Sequence, residues 1–332
     1  MKKVALLSDK ERGELFQATA LKKGIRPEAI EKDFWVCYLI DHLFHDCEYK
    51  DAFVFKGGTS LSKAYHLINR FSEDIDLILD WRRIIKDQSN PWAERSKSKQ
   101  DQYNKHINAE AAEFYANELV PVLNNELSLK IGKKGLISVD IHDEMVINFN
   151  YPRLFEDDYI RPVVRLEIGP LAEWTPSHTT RISSFAAEKY PQFFDQAETE
   201  ALTVDAERTF WEKITILHKI ANFPEGKVLP LRYARHYYDV FCMGHSDIKE
   251  SAFSRKELLE KDIMFKQKFY YSKGAHYETA TLTDIMLIPG DSIIPALRAD
   301  YKAMKNMIYG EIPEFEEILT YLSELQTEIH SL

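Results

Sequence analysis

Hydrophobic spacing divides the chain into helical ends and a strand-rich middle. Over residues 8–46 the apolar positions follow a helical period, with Ile30, Phe34, Cys37 and Tyr38 on one stripe and Pro27 suited to a helix start. A short strand is predicted over 52–55, a helix over 60–68 and a second strand over 75–79, so Gly57 and Gly58 fall at a strand-to-helix turn. After a polar connection containing Asn90-Pro91, residues 107–127 read as a helix, and then the pattern changes to alternation. The stretch SLKIGKKGLISVDIH sets Gly132 and Gly135 between two period-2 runs, which predicts a hairpin. MVINFNY and PVVRLEIG continue the strands to Gly169, with TRISSF a further candidate. Helices return from about Asp205, ending in a stripe of Phe315, Ile318, Leu319, Leu322, Leu325 and Ile329. This order predicts an α/β (α+β) core, a mixed sheet flanked by helices, over 1–195 and a helical C-terminal domain over 196–332.

Composition narrows the classes. The 332 residues, 45% apolar and 12% aromatic, can fill one large or two ordinary cores. No apolar run approaches the roughly 20 residues of a membrane helix. The first thirteen residues are charged around one short apolar run, so neither a leader nor an anchor is expected and the protein reads as cytoplasmic. Cys37, Cys47 and Cys242 lack the spacing of a disulfide framework or a zinc site. A net charge of −10 excludes a protein that wraps nucleic acid over its whole surface. A local contact stays open: Arg82, Arg83, Lys86, Arg95, Lys97, Lys99 and Lys105 face only Asp87, Glu94 and Asp101 between positions 81 and 105. The same segment also suits a solvated loop and helix start.

The chemistry concentrates in VFKGGTSLSKAYHLINRFSEDIDLIL, residues 54–79. Lys56-Gly57-Gly58-Thr59-Ser60 exposes backbone N–H groups before a helix start, which favours an anion such as phosphate. Thr59 and Ser60 can bind phosphate oxygens or simply cap the helix, and Lys63 lies one turn on. Asp74 and Asp76 project from one face of a strand while Ile75 and Leu77 face the core. Their mutual repulsion is relieved by a hard divalent cation, although a solvent-facing pair near a sheet edge, beside Glu73 and Asp80, would look the same. Together, a glycine turn for a triphosphate and a carboxylate pair for its metal form a nucleotidyl-transfer arrangement, with in-line attack at the α-phosphate expelling pyrophosphate.

Residues 55–77, FKGGTSLSKAYHLINRFSEDIDL, resemble the nucleotidyltransferase superfamily of DNA polymerase beta, and specifically the AbiEii/AbiGii toxin family with its MenT relatives. IEKDFWVCYLI (30–40) resembles the helix before that family's core, and RTFWEKITILH (208–218) and RHYYDV (235–240) resemble its later motifs. The resemblance implies that Asp74 and Asp76 ligate Mg²⁺ or Mn²⁺ and that Gly57 to Ser60 cradle the triphosphate of an NTP. It further implies that Ser72 lies beside the active site, that Lys213 is the essential lysine, and that Asp239 is the aspartate of the last motif. By pattern alone Lys213 edges an apolar helix stripe and could equally be a surface lysine, while Asp239 could merely pair with Arg235. A third carboxylate, usual on a later strand of the superfamily, would be Glu167 or Asp140.

These readings predict Mg²⁺-dependent transfer of NMP from an NTP to an acceptor hydroxyl, with the 3′ end of tRNA the acceptor the family implies. The biological role would be a toxin neutralised by a cognate antitoxin, in a toxin–antitoxin or phage-defence pair. The rivals are transfer to a protein or small-molecule hydroxyl, and a catalytically silent module of the same fold.

Overall fold

The alternating segments pair into a single mixed sheet in the computed structural model, which describes residues 1–84, 90–156, 160–171, 176–224 and 226–332. Its strands are β1 (Phe53–Lys56), β2 (Asp74–Leu79), β3 (Ile137–Val139), β4 (Val146–Phe149), β5 (Val164–Gly169), β6 (Ser177–Ser183) and β7 (Glu198–Val204). They lie in the order β3-β4-β5-β2-β1-β7-β6. β2 runs parallel to β5 and β1 parallel to β7, and the other neighbours are antiparallel. The mixed α/β class read from the sequence is the one observed.

Strand parity decides which face is filled. Phe53, Phe55, Ile75, Leu77, Leu79, Ile147, Phe149, Leu166 and Ile168 all enter the main hydrophobic core. The helix Pro27–Asp41 joins that core, with Pro27 in its first turn, and is buried along its length from Ala29 onward. A helix enclosed on all sides has no water for its polar residues, so the Glu31, Lys32 and Asp33 it carries must find partners inside.

Several expected elements shift. The helix after β1 begins at Gly57 and ends at Lys63, short of the predicted 60–68, and His66 beyond it takes a left-handed φ of 53°. The predicted hairpin around Gly132 is instead a helix end. Leu119, Leu123, Leu127 and Ile131 recur every four residues, so the helix Val120–Ile131 runs through the alternating stretch until Gly132 caps it at φ +75°. The hairpin is formed by β3 and β4, further on. The preceding helix starts at Lys97, ten residues before the predicted 107. β7 has no counterpart among the predicted strands.

The described chain divides into two compact units, one of Met1–Ala64 with Ser72–Val204 and one of Tyr65–Phe71 with Asp205–Leu332. The first holds the sheet. The second is helical, including Ala206–Ala221, Ala234–Gly244, Glu257–Phe269, Ile294–Met304 and Phe315–His330. Residues 65–71 are tied into this second unit by backbone bonds from Phe71 N–H to Met307 O (2.7 Å) and from Tyr309 N–H to Asn69 O (2.6 Å). Among the described residues, no helix is long and apolar enough to cross a membrane.

Candidate active site

In the first unit, the register of three strands assembles a polar face. Lys56 pairs with Asp76 and Asp76 with Glu167, while Asp74 pairs with Arg165 in the next row. Directly aligned residues of neighbouring strands share a face, so both aspartates and Glu167 project to one side, opposite the core.

The glycine turn packs directly on this row. Gly57 has φ +80°, and a Cβ there would lie 1.9 Å from Asp76 Oδ2. Glycine is therefore required twice over, for the left-handed backbone and for the close approach of the carboxylate. Thr59 and Ser60 are fully buried. The Thr59 hydroxyl donates to the Asp74 carbonyl and lies 2.9 Å from Ser72 Oγ, and the Ser60 hydroxyl donates to Gly57 O at 2.8 Å. In this arrangement the Thr59 hydroxyl fastens the turn to β2 and the Ser60 hydroxyl closes the turn on itself, and the groups the turn can offer an anion are its backbone N–H groups.

Lys63, expected beside a phosphate, lies on the buried side of its helix. Its ammonium sits 2.7 Å from Asp33 and over the Phe185 ring. Asp140 is also held elsewhere. It accepts bonds from Asn148 Nδ2 and the His142 N–H in the β3–β4 turn, with β4 and β5 between it and β2. Glu167 contacts Arg165 at 3.4 Å.

Asp74 Oδ1 is buried and has no hydrogen-bond partner among the described residues. An orphaned anionic oxygen beside a second carboxylate fits a divalent cation. Among the described residues no group of three or more His, Cys, Asp or Glu is placed to hold a metal. Mg²⁺ commonly takes one or two protein carboxylates and completes its shell with substrate phosphates and water.

The basic segment is partly neutralised. Arg82 pairs with Asp80 and Lys105 with Asp101, and Arg95 binds the carbonyls of Asn90, Pro91 and Ala93 while stacking on Tyr103. Lys97, Lys99 and Trp92 are exposed. Lys86 and Asp87 lie outside the described residues.

In the second unit, Asp239 is completely buried between two cations. Arg70 reaches its two oxygens through Nε (2.7 Å) and Nη2 (2.8 Å), and Lys213 Nζ lies 2.7 Å away. Burial would raise the Asp239 carboxyl, but Arg70 and Lys213 together hold it well below the usual carboxylate range, so it stays ionised. The pairing with Arg235 that spacing allowed is not among its observed contacts. His236 lies one turn before Asp239, its Nδ1 buried without a partner among the described residues. Burial, then Lys213 and Arg235, push its pKa far down, keeping the ring neutral.

Sequence reasoning missed Arg70, His236 and a further buried pair, Lys32 with Glu73 at 2.6 Å. Arg70 and Glu73 stand inside the glycine-to-aspartate motif. Glu31, Lys32 and Asp33 interrupt an otherwise apolar run from Ala29 to Ile40, a signal that buried charges needed partners.

The family model described as "Nucleotidyl transferase AbiEii toxin, Type IV TA system" matches residues 39–321. A search of curated proteins finds no match. Among solved structures the chain is similar to MenT4, a nucleotidyltransferase toxin from Mycobacterium tuberculosis H37Rv, at 16% identity and a TM-score of 0.47 over 98% of both chains. The family match spans the glycine turn, the aspartate strand and the Lys213–Asp239 helices alike, and on it the chain belongs to the AbiEii family of nucleotidyl transferase toxins of type IV toxin–antitoxin systems.

Proposed function

We propose that this nucleotidyltransferase moves NMP from an NTP to the 3′ hydroxyl of tRNA in the cytoplasm, and that a cognate antitoxin restrains it. The observation that carries the site assignment is the orphaned Asp74 oxygen beside Asp76, with the Gly57 backbone pressed against the second carboxylate.

Asp74 and Asp76 would hold Mg²⁺ or Mn²⁺, which when bound would neutralise the triphosphate and polarise the α-phosphate. The N–H groups of the turn, with Lys56 and Ser72 near it, orient the phosphates. The acceptor oxygen bonds to the α-phosphorus as the bond to the bridging oxygen breaks, and pyrophosphate leaves. Glu167 takes the proton of the attacking hydroxyl. Lys213 stabilises the charge developing on the phosphates, and Asp239, held ionised, orients Lys213 and cannot itself serve as a base at neutral pH. Arg70, the partner of Asp239, stands four residues before Asp74 in the chain. The exposed Lys97, Lys99 and Trp92 supply the charge and the ring that an RNA acceptor requires.

The test is incubation with Mg²⁺, each α-³²P-labelled NTP and total tRNA, beside Asp74→Ala. Label on tRNA with wild type alone supports the reading. Label on protein would move the acceptor to a protein hydroxyl, and equal labelling by Asp74→Ala would remove the site assignment.

A further inference from the structure

Three consecutive charged residues, Glu31, Lys32 and Asp33, are buried within the helix Pro27–Asp41, and each grips a different part of the first unit. Successive helical positions turn by about 100°, so three in a row reach in three directions. The Glu31 carboxylate accepts the N–H groups of Leu154 (2.8 Å) and Phe155 (3.1 Å), in the segment after β4. Lys32 Nζ donates to Glu73 Oε2 (2.6 Å) and to Arg161 O (3.0 Å). Glu73 immediately precedes β2, and Arg161 stands three residues before β5. Asp33 pairs with Lys63 at the end of the glycine-turn helix and accepts the Phe185 N–H at 2.6 Å.

The partners are not scattered. Those of Lys32 are the entries to the two strands that carry Asp74, Asp76 and Glu167, and Lys63, the ion-pair partner of Asp33, ends the helix that follows the turn. Buried ion pairs are a poor source of stability, since desolvation offsets their attraction and apolar replacements of similar volume often serve as well. Their use here is positional. Asp74 Oδ1 is buried without a partner, and a free strand end would relax until that oxygen found one. Lys32 through Glu73 on one side, and Thr59 on the Asp74 carbonyl on the other, prevent this.

We propose that Lys32 and Asp33 are positioning residues of the transferase site: Lys32 fixes the starts of β2 and β5, Asp33 fixes the glycine-turn helix, and together they keep Asp74 Oδ1 clear of other partners and open to a divalent cation. This rests on the assignment of Asp74 and Asp76 as the cation's ligands.

The test compares wild type with the double variant Lys32→Met/Glu73→Met, in which both charges give way to apolar side chains of similar length. Mn²⁺ affinity is read by electron paramagnetic resonance without nucleotide, alongside NTP turnover and thermal melting. The expected result is a melting midpoint within about 5 °C of wild type, with Mn²⁺ bound about tenfold or more weakly and kcat lowered about 100-fold. Mn²⁺ affinity and kcat both within about threefold of wild type would overturn the proposal. Should the double variant fail to fold, Glu73→Asp keeps the charge pair but withdraws the carboxylate by one methylene. Lowered Mn²⁺ affinity with an unchanged melting midpoint supports positioning, and unchanged affinity overturns it. Asp74→Ala is measured in parallel: if it too binds Mn²⁺ and turns over like wild type, the site assignment itself has failed; if it alone loses both, only the positioning role has.

Discussion

Gly57→Ala separates backbone strain from displacement of a catalytic group. At φ +80° an alanine is strained by about 1–2 kcal/mol, which lowers the melting midpoint by about 2–8 °C in a domain of this size. The added Cβ would also lie 1.9 Å from Asp76 Oδ2, 2.5 Å from Cγ and 2.8 Å from the Asp76 Cβ. Rotating the carboxylate cannot relieve the last of these contacts, so β2 itself must move. Restoring an ordinary contact of 3.4 Å to Oδ2 requires about 1.5 Å of displacement, and a misplacement of about 1 Å in a reacting constellation costs about 100-fold in rate. Gly132→Ala is the control: it has φ +75° and nothing within 4 Å of its added Cβ, so it carries the strain without the clash. Labelled-NTP transfer and thermal melting on both variants should show a lower midpoint for Gly57→Ala than for Gly132→Ala, by the cost of the clash, and about 100-fold lower turnover for Gly57→Ala alone. Turnover of Gly57→Ala within about threefold of Gly132→Ala would refute the argument that the turn and the carboxylate share this space.

Asp74→Ala should abolish transfer while leaving the melting midpoint within about 2 °C of wild type, because the carboxylate oxygen it removes has no hydrogen bond to lose; a large drop would mean the group is structural. Asp239→Ala leaves Arg70 and Lys213 buried without their counter-charge and should cost about 3–5 kcal/mol by chemical denaturation. A loss below about 1 kcal/mol would contradict the burial argument. Burial raises the Glu31 carboxyl from 4.5 to about 7, against the N–H bonds from Phe155 and Leu154. Between those values the folded state binds more protons than the unfolded, so this group's contribution to stability is greatest below 4.5, falls as pH rises to about 7, and is level above it. The stability of wild type relative to Glu31→Gln, measured by denaturation from pH 4.5 to 8, should therefore fall up to about pH 7 and then hold steady; a constant difference would show that Glu31 is not so perturbed.

Alternation by itself determined that β2 carries Asp74 and Asp76 on one face and Ile75 and Leu77 on the other, since a strand's period of two needs no knowledge of its neighbours. Helical spacing likewise located the helix from Pro27 and the helices after Asp205, and the glycine pair marked the turn. The stretch SLKI misled because four residues can satisfy a period of two and the last turn of a helix equally, and only the spacing from Leu119 to Ile131 separates them. The rest depended on contacts distant in sequence. Nothing local to Lys63 says that Asp33, thirty residues earlier, removes it from the phosphate, or to Thr59 that its hydroxyl is taken up by the Asp74 carbonyl of β2. Asp239 could pair with Arg235 one helical turn away, yet Arg70, from a segment of chain 169 residues earlier, takes its place. A buried charge selects its partner by desolvation and geometry in three dimensions, and those are set only when the chain has packed.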